Sequence, residues 1–144
     1  MLQRFARRGC ALRFIPAEAD AADPQVWDAY LDETVQLALV THVQSANGRR
    51  LPVADIVQRC RALGAYSVVD VAQSAGVVPI DQAAWGADFL IGSCVKWLCG
   101  GPGAGFLAVR EDTCALCEPE DVGWFSHADP FEFGIEDFRF ADGA

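Results

Sequence analysis

The sequence predicts an α/β domain with a mostly parallel sheet and flanking helices. Three observations predict it. Apolar runs of strand length alternate with amphipathic stretches along 144 residues. The run Gln36–Val43 (QLALVTHV) shows almost no polar alternation, as expected of a strand buried on both faces of a parallel sheet. Polar residues directly follow the apolar runs, at the C-terminal strand ends where open sheets of this kind bind ligands.

Composition narrows the class. With 52% hydrophobic and 22% charged residues the chain can bury a sizeable core and does not read as disordered. A net charge of -9 argues against a nucleic-acid backbone as partner. No apolar run reaches the length of a membrane span. The basic start, MLQRFARRGCALRF, lacks a long apolar core and a small-residue cleavage site, so a secretory signal is not expected and a cytoplasmic setting is. The six cysteines are scattered through apolar segments and read as small buried hydrophobes. Cys114 and Cys117 form a lone C-x-x-C with no second ligand pair, so no metal site is expected.

The elements follow in order. Residues 1–9 form a basic start, the tail of an upstream helix. Cys10–Ile15 reads as a short strand stopped by Pro16. Asp23-Pro24 opens a helix, with an N-cap acid before a proline at the first helical position, and carries Val26, Trp27, Tyr30 and Leu31. After the strand at 36–43, the polar turn QSANGRR leads to a helix over Pro52–Ala65. Its apolar stripe is Val53, Ile56, Val57, Cys60 and Leu63, and Gly64 suits its C-cap. Ser67–Val71 is a strand, 72–76 a loop, and Val77–Trp85 a turn and short helix capped by Asp81. Strands over Ala87–Ser93 and Ala104–Val109 flank a glycine-proline turn at 100–103, and Glu111–Cys117 reads as a short helix. From residue 118 the pattern becomes aromatic, acidic and aperiodic, a loop whose rings pack against something larger. The chain thus divides into an α/β part, 1–117, and an aromatic loop, 118–144.

Polar groups gather at the predicted strand ends: Gln44-Ser45, Asp70, Gln73, and Ser93 with Lys96, the sole lysine of the chain. Lys96 has two readings, a surface lysine or a desolvated amine with lowered pKa that attacks carbonyls. Asp70 either caps a turn or faces a pyridine nitrogen and keeps it protonated, which would make the ring an electron sink. Together the functional readings describe a lysine Schiff base with pyridoxal phosphate. Ser93 could bond a phosphate oxygen or the backbone. No dinucleotide or Walker fingerprint occurs, and the glycine-rich turn at 100–103 needs no role beyond a tight turn. His42, inside a strand-like run, reads as a satisfied core histidine, whereas His127 in the aromatic loop could reach a ligand.

The stretch VDVAQSAGVVPIDQAAWGADFLIGSCVKWLCGGPGAGFLAVR resembles the class V aminotransferase superfamily of pyridoxal-phosphate enzymes, fold type I. The upstream THVQSANGRRLPVADIVQRCRALGA is similar to that superfamily's preceding strand, loop and helix, and VGWFSH to an element of kynureninases. The resemblance spans residues 36 to 128 and implies the central part of a three-layer α/β/α large domain. It implies Lys96 as the cofactor-bound lysine, Asp70 at the ring nitrogen and Gln73 near the phenolic oxygen. It further implies Ser93 and Trp124 at the phosphate, Phe125 near the substrate pocket, and Ser45 in a loop touching cofactor or substrate. It implies a small amino-acid substrate and a homodimer.

The sequence also departs from the family. Val95 stands where relatives often carry a hydrogen-bonding His or Tyr, and Gln73 replaces the kynureninase histidine. Neither Cys94 nor Cys99 matches the later loop cysteine of desulfurases. The segment carrying the ring-stacking aromatic residue and the small domain with its substrate-binding arginine have no counterpart among these 144 residues. The expectation is therefore a fragment of a kynureninase-like or class V aminotransferase-like enzyme. An inert binding or assembly remnant of that fold is the alternative.

Overall fold

In the computed structural model, residues 9–118, 121–132 and 139–141 are described. The expected helical tail at 1–9 lies, but for Gly9, outside them. The chain forms two compact units, Met1–Ala108 and Val109–Ala144.

The first unit holds a four-stranded sheet in the order β1 (Leu37–Thr41), β2 (Tyr66–Asp70), β3 (Phe89–Ser93), β4 (Gly105–Val109). β1 and β2 are parallel, with Leu37 opposite Tyr66 and Thr41 opposite Asp70. β2 and β3 are also parallel, with Val68 opposite Phe89 and Asp70 opposite Ile91. At the far side the Cys94 amide donates to Ala104 O at 3.0 Å, so the start of β4 lies beside the end of β3 and β4 runs back along it. The sheet is mixed but mostly parallel, as the alternation of elements predicts.

One face is well covered. Helix α2 (Val53–Ala62) lays Val53, Ile56, Val57 and Cys60 onto Ala38, Val40, Val69 and Leu90. Burial pushes the Cys60 thiol up to about 11, as expected of a cysteine serving as a small hydrophobe. Gly64, at φ +74°, ends the helix turn in the left-handed conformation. Helix α1 (Pro24–Trp27) is a single turn, capped by the Asp23 side chain on the Gln25 amide. The turn continues through Tyr30 and Leu31, whose amides both donate to Trp27 O, and it buries Trp27 and Leu31. Helix α3 (Gln82–Trp85) is capped as expected, with Asp81 accepting from the Ala84 amide.

A buried polar pair fixes the N-terminal ends of β2 and β3. Asp88, 2% exposed, accepts from both the amide and hydroxyl of Ser67 at 2.8 Å, and its own amide donates to Ser67 Oγ. A buried carboxylate is tolerable only with such donors around it.

Two expectations fail. Cys10–Ile15 is not a strand. Within it Arg13 turns to Asp32, Thr34 and Tyr30 O, and no ladder partner stands beside it among the described residues. Nor is β1 buried on both faces. Ala38 and Val40 are buried, but Leu37 and Leu39 are 51% and 40% exposed. The register extends this open face across the sheet through Tyr66, Val68, Phe89 and Ile91, and on β4 Leu107 is 63% exposed. Continuous apolarity signals two buried faces only when both have cover.

In the second unit, α4 (Glu111–Cys114) is shorter than expected and a 3-10 turn spans Trp124–Ser126. Trp124, Phe125 and Phe131 pack their rings together with centroids 6.3–6.4 Å apart, and Trp124 Nε1 donates to Pro130 O.

Candidate functional site

The open face changes character along its length. Its body is apolar, but its C-terminal rim carries Thr41, Asp70 and Ser93, the last open-face residues of β1, β2 and β3. Strand periodicity does this: side chains two apart share a face, so Leu39 and Thr41, Val68 and Asp70, and Ile91 and Ser93 point the same way.

Asp70 is half-buried. Its Oδ1 accepts from the Ala72 amide at 2.8 Å, which starts the turn after β2. Among the described residues Oδ2 takes no protein donor. The turn-capping reading of Asp70 is met by Oδ1 and leaves Oδ2 unused by the turn. Gln73, half-buried in that turn, has no side-chain partner among the described residues.

The Lys96 loop is tightly closed. The Gly100 amide donates to Cys94 O at 2.8 Å and the Cys99 amide to Lys96 O at 3.0 Å. Cys99 sits at φ +53°, a left-handed conformation that costs a non-glycine residue about 1–2 kcal/mol. Ser93 Oγ accepts from the Val95 amide at 3.4 Å, the local backbone use expected of a strand-end hydroxyl. Of its two readings, Lys96 takes the exposed one here: the flanking Val95, Trp97 and Leu98 are themselves 44–56% exposed and provide no apolar cover. Lys96 has no carboxylate partner among the described residues.

The Asp70–Gln73 turn and the Lys96 loop meet at Gly76. A β-carbon on Gly76 would lie 3.1 Å from Trp97 O and 3.2 Å from Trp97 C. A side chain there would need the 97–98 backbone to give by a few tenths of an ångström, and at φ +96° only glycine is relaxed.

Ser45 is exposed at the tip of a turn closed by Gln44 N to Arg49 O and Gly48 N to Gln44 O, both 2.9 Å. Trp124 and Phe125 belong to the second unit, where they are 60% and 75% exposed. The structure thus brings Asp70, Gln73, Ser93 and Lys96 to one end of the sheet and leaves Ser45 on a neighbouring turn.

Sequence reasoning missed Thr41. The signal was there in the offset of two residues from Leu39, but it needed the register with Asp70 to be read. It also missed what holds the Asp70 turn from beneath. His42, buried as expected, places Nδ1 2.9 Å from Ser74 Oγ, and Ser74 Oγ donates to Val71 O at 3.2 Å. Desolvation, and secondarily the charge of Arg50, lowers the His42 pKa and so favours the neutral ring. Two clefts, lined by Ala54, Gln58 and Trp85 and by His42, Arg50 and Pro79 among others, lie on the helix side, away from Asp70, Gln73, Ser93 and Lys96.

The family model "Aminotransferase class-V" matches residues 1–130. A kynureninase of Deinococcus radiodurans is 37% identical over 129 residues, covering 89% of this chain and 32% of the relative. A probable cysteine desulfurase of Methanothermobacter thermautotrophicus is 36% identical over 138 residues, covering 94% and 34%. Among solved structures, a C-DES mutant with glycine covalently linked to its PLP cofactor superposes with a TM-score of 0.85 at 27% identity, covering 99% of this chain and 39% of that one. The chain therefore spans about a third of the length of the relatives it matches.

Proposed function

Because the chain belongs to the class-V aminotransferase family, we propose that it is the cofactor-binding segment of a pyridoxal-phosphate enzyme acting on a small amino acid, with kynureninase-like chemistry. The observation that carries this reading is the rim itself. A carboxylate with one free oxygen, a free amide and the chain's sole lysine stand at one end of a sheet whose solved relative holds PLP.

The residues fit the cofactor. When bound, pyridoxal phosphate supplies a carbonyl for amines and an electron-withdrawing ring. Asp70 Oδ2 would hold the ring N–H and keep it protonated, with Oδ1 already fixed by Ala72. Gln73 would donate its amide to the phenolic oxygen. Ser93 would turn its hydroxyl to the phosphate while still accepting from the Val95 amide. Lys96 would present its amine to the carbonyl, and once displaced by substrate it would carry a proton to or from the substrate carbon. Trp124 would approach the phosphate and Ser45 the cofactor or substrate. The kynureninase branch is supported by the VGWFSH element and by the 37% identity to the Deinococcus radiodurans enzyme. A cytoplasmic homodimer is the proposed setting of the whole enzyme.

The test uses the uniqueness of the lysine. The chain is incubated with pyridoxal phosphate, reduced with borohydride and mapped by mass spectrometry. Label on Lys96 that is abolished in Lys96→Arg and weakened in Asp70→Asn is expected. Label confined to the N-terminal amine overturns the assignment. One observation favours an inert binding or assembly remnant instead: Val95, beside Lys96, offers no side-chain hydrogen bond. Specific label on Lys96, without turnover of kynurenine or cysteine by an assembled full-length protein carrying this segment, would support that second reading.

A further inference from the structure

We infer that His42 and Ser74 are positioning residues that clamp the Asp70–Gln73 turn from the covered side of the sheet and so set where Asp70 and Gln73 stand. The inference rests on the cofactor reading above and extends it to two residues that touch no ligand.

Three facts carry it. The first is burial: His42 is 3% exposed and Ser74 is fully buried, so neither hydroxyl nor imidazole can lean on bulk water. The second is the pair of contacts at one hydroxyl: Ser74 Oγ lies 2.9 Å from His42 Nδ1 and 3.2 Å from Val71 O, so it ties the imidazole to the carbonyl just past the end of β2. The third is the point of attachment. The His42 amide donates to Asp70 O at 2.9 Å, and the amides of Ser74 and Ala75 donate to Val71 O at 2.9 and 2.8 Å. His42 therefore grips both ends of the segment from Asp70 to Ser74, one through its backbone and one through its ring. Gln73 lies between these grips and Asp70 at the first.

The ring itself is fixed. Trp85 meets it edge to face with centroids 4.8 Å apart. A buried imidazole with Nδ1 on the Ser74 hydroxyl and its ring against Trp85 is a rigid strut. Covered-side residues thus determine the geometry of open-side ones.

The test compares variants of the 144-residue chain. His42→Phe keeps ring bulk and loses the hydrogen-bonding nitrogen. His42→Asn restores a polar atom near the Nδ1 position. Ser74→Ala removes the hydroxyl while leaving His42 in place. Two readouts are taken: amide hydrogen exchange across Val71–Ala75 without cofactor, and pyridoxal phosphate affinity by absorbance titration with borohydride mapping at Lys96. Expected are an exchange rate about tenfold faster in that turn alone and an affinity about tenfold weaker for His42→Phe and Ser74→Ala, with partial recovery in His42→Asn. The double variant should be no worse than the worse single one. Wild-type exchange in the turn for both single variants, or effects that multiply in the double variant, overturn the clamp. A wild-type chain that binds no cofactor overturns the reading it rests on and this inference with it. That failure is recognisable because all variants are then equally unlabelled.

Discussion

The contact between the Asp70 turn and the Lys96 loop makes a quantitative prediction at Gly76. Gly76→Ala faces two costs. At φ +96° a β-carbon meets the backbone penalty of the left-handed side, about 1–2 kcal/mol. It would also lie 3.1 Å from Trp97 O, 3.2 Å from Trp97 C and 3.2 Å from Leu98 Cδ2, inside the usual separation of about 3.5–4.0 Å. Overpacking of this kind costs about 1–3 kcal/mol. Gly64→Ala separates the two effects, because Gly64 has φ +74° and nothing within 4 Å of its would-be β-carbon. Urea unfolding should therefore show Gly64→Ala less stable than wild type by about 1–2 kcal/mol, and Gly76→Ala by about 2–5 kcal/mol. If the exposed 96–98 loop yields to the methyl instead, the stability difference shrinks, and labelling of Lys96 by pyridoxal phosphate and borohydride slows in Gly76→Ala alone. Equal midpoints for the two variants together with wild-type labelling at Lys96 would refute the close packing of the two loops.

Ile56→Ala, at a fully buried position on α2, should cost about 2–5 kcal/mol with an unchanged denaturant slope, measured by urea unfolding. Acid should destabilise the chain in two stages. His42 has a folded pKa below its unfolded 6.5, so its contribution is present above that value and fades as pH falls below it. Asp32 is held at about 2 by the Thr34 hydrogen bond first and Arg13 second, so its contribution is present above 3.8 and lost as pH falls toward 2. Unfolding midpoints measured against pH should lose the first stage in His42→Phe and the second in Asp32→Asn. The open sheet face should bind an apolar dye such as ANS in the folded chain, and Leu39→Gln with Leu107→Gln should reduce that fluorescence while the urea midpoint shifts little.

Much of the architecture was legible because it is local. Of the predicted α2 stripe, Val53, Ile56, Val57 and Cys60 are buried, whereas Leu63, past the last helical residue, is 38% exposed, and the Asp81 and Asp23 caps bond where their spacing places them. What was not legible depends on contacts between distant segments. Arg13 leaves the segment 10–15 for Asp32 and Thr34, some twenty residues on, and no local propensity reports that. Leu37 and Leu39 are as apolar as Ala38 and Val40, and only the sheet decides which pair is covered. His42 could be read as a core histidine, but its partner lies 32 residues away. Of the candidate site, the residue types at strand ends were visible. The choice between the two readings of Lys96 was not, because it depends on how the 94–100 loop closes rather than on the apolarity of its neighbours.

The placement of the site follows from one residue of strand period. In β2, Val69 faces the covered side, Asp70 the open side, and Val71 just past the strand is buried again. A register slip of one would bury the carboxylate against α2 and expose the valines, a change that the Ser67–Asp88 bonds oppose at the other end of the same strand pair. The two buried polar clusters therefore have complementary effects. Ser67 and Asp88 fix which residues of β2 and β3 are opposite each other, and His42 and Ser74 fix how the chain turns once β2 ends. Between them, Asp70 is held to the open rim by contacts made on the covered face and at the far edge, so its free oxygen can remain available without weakening the strand that carries it.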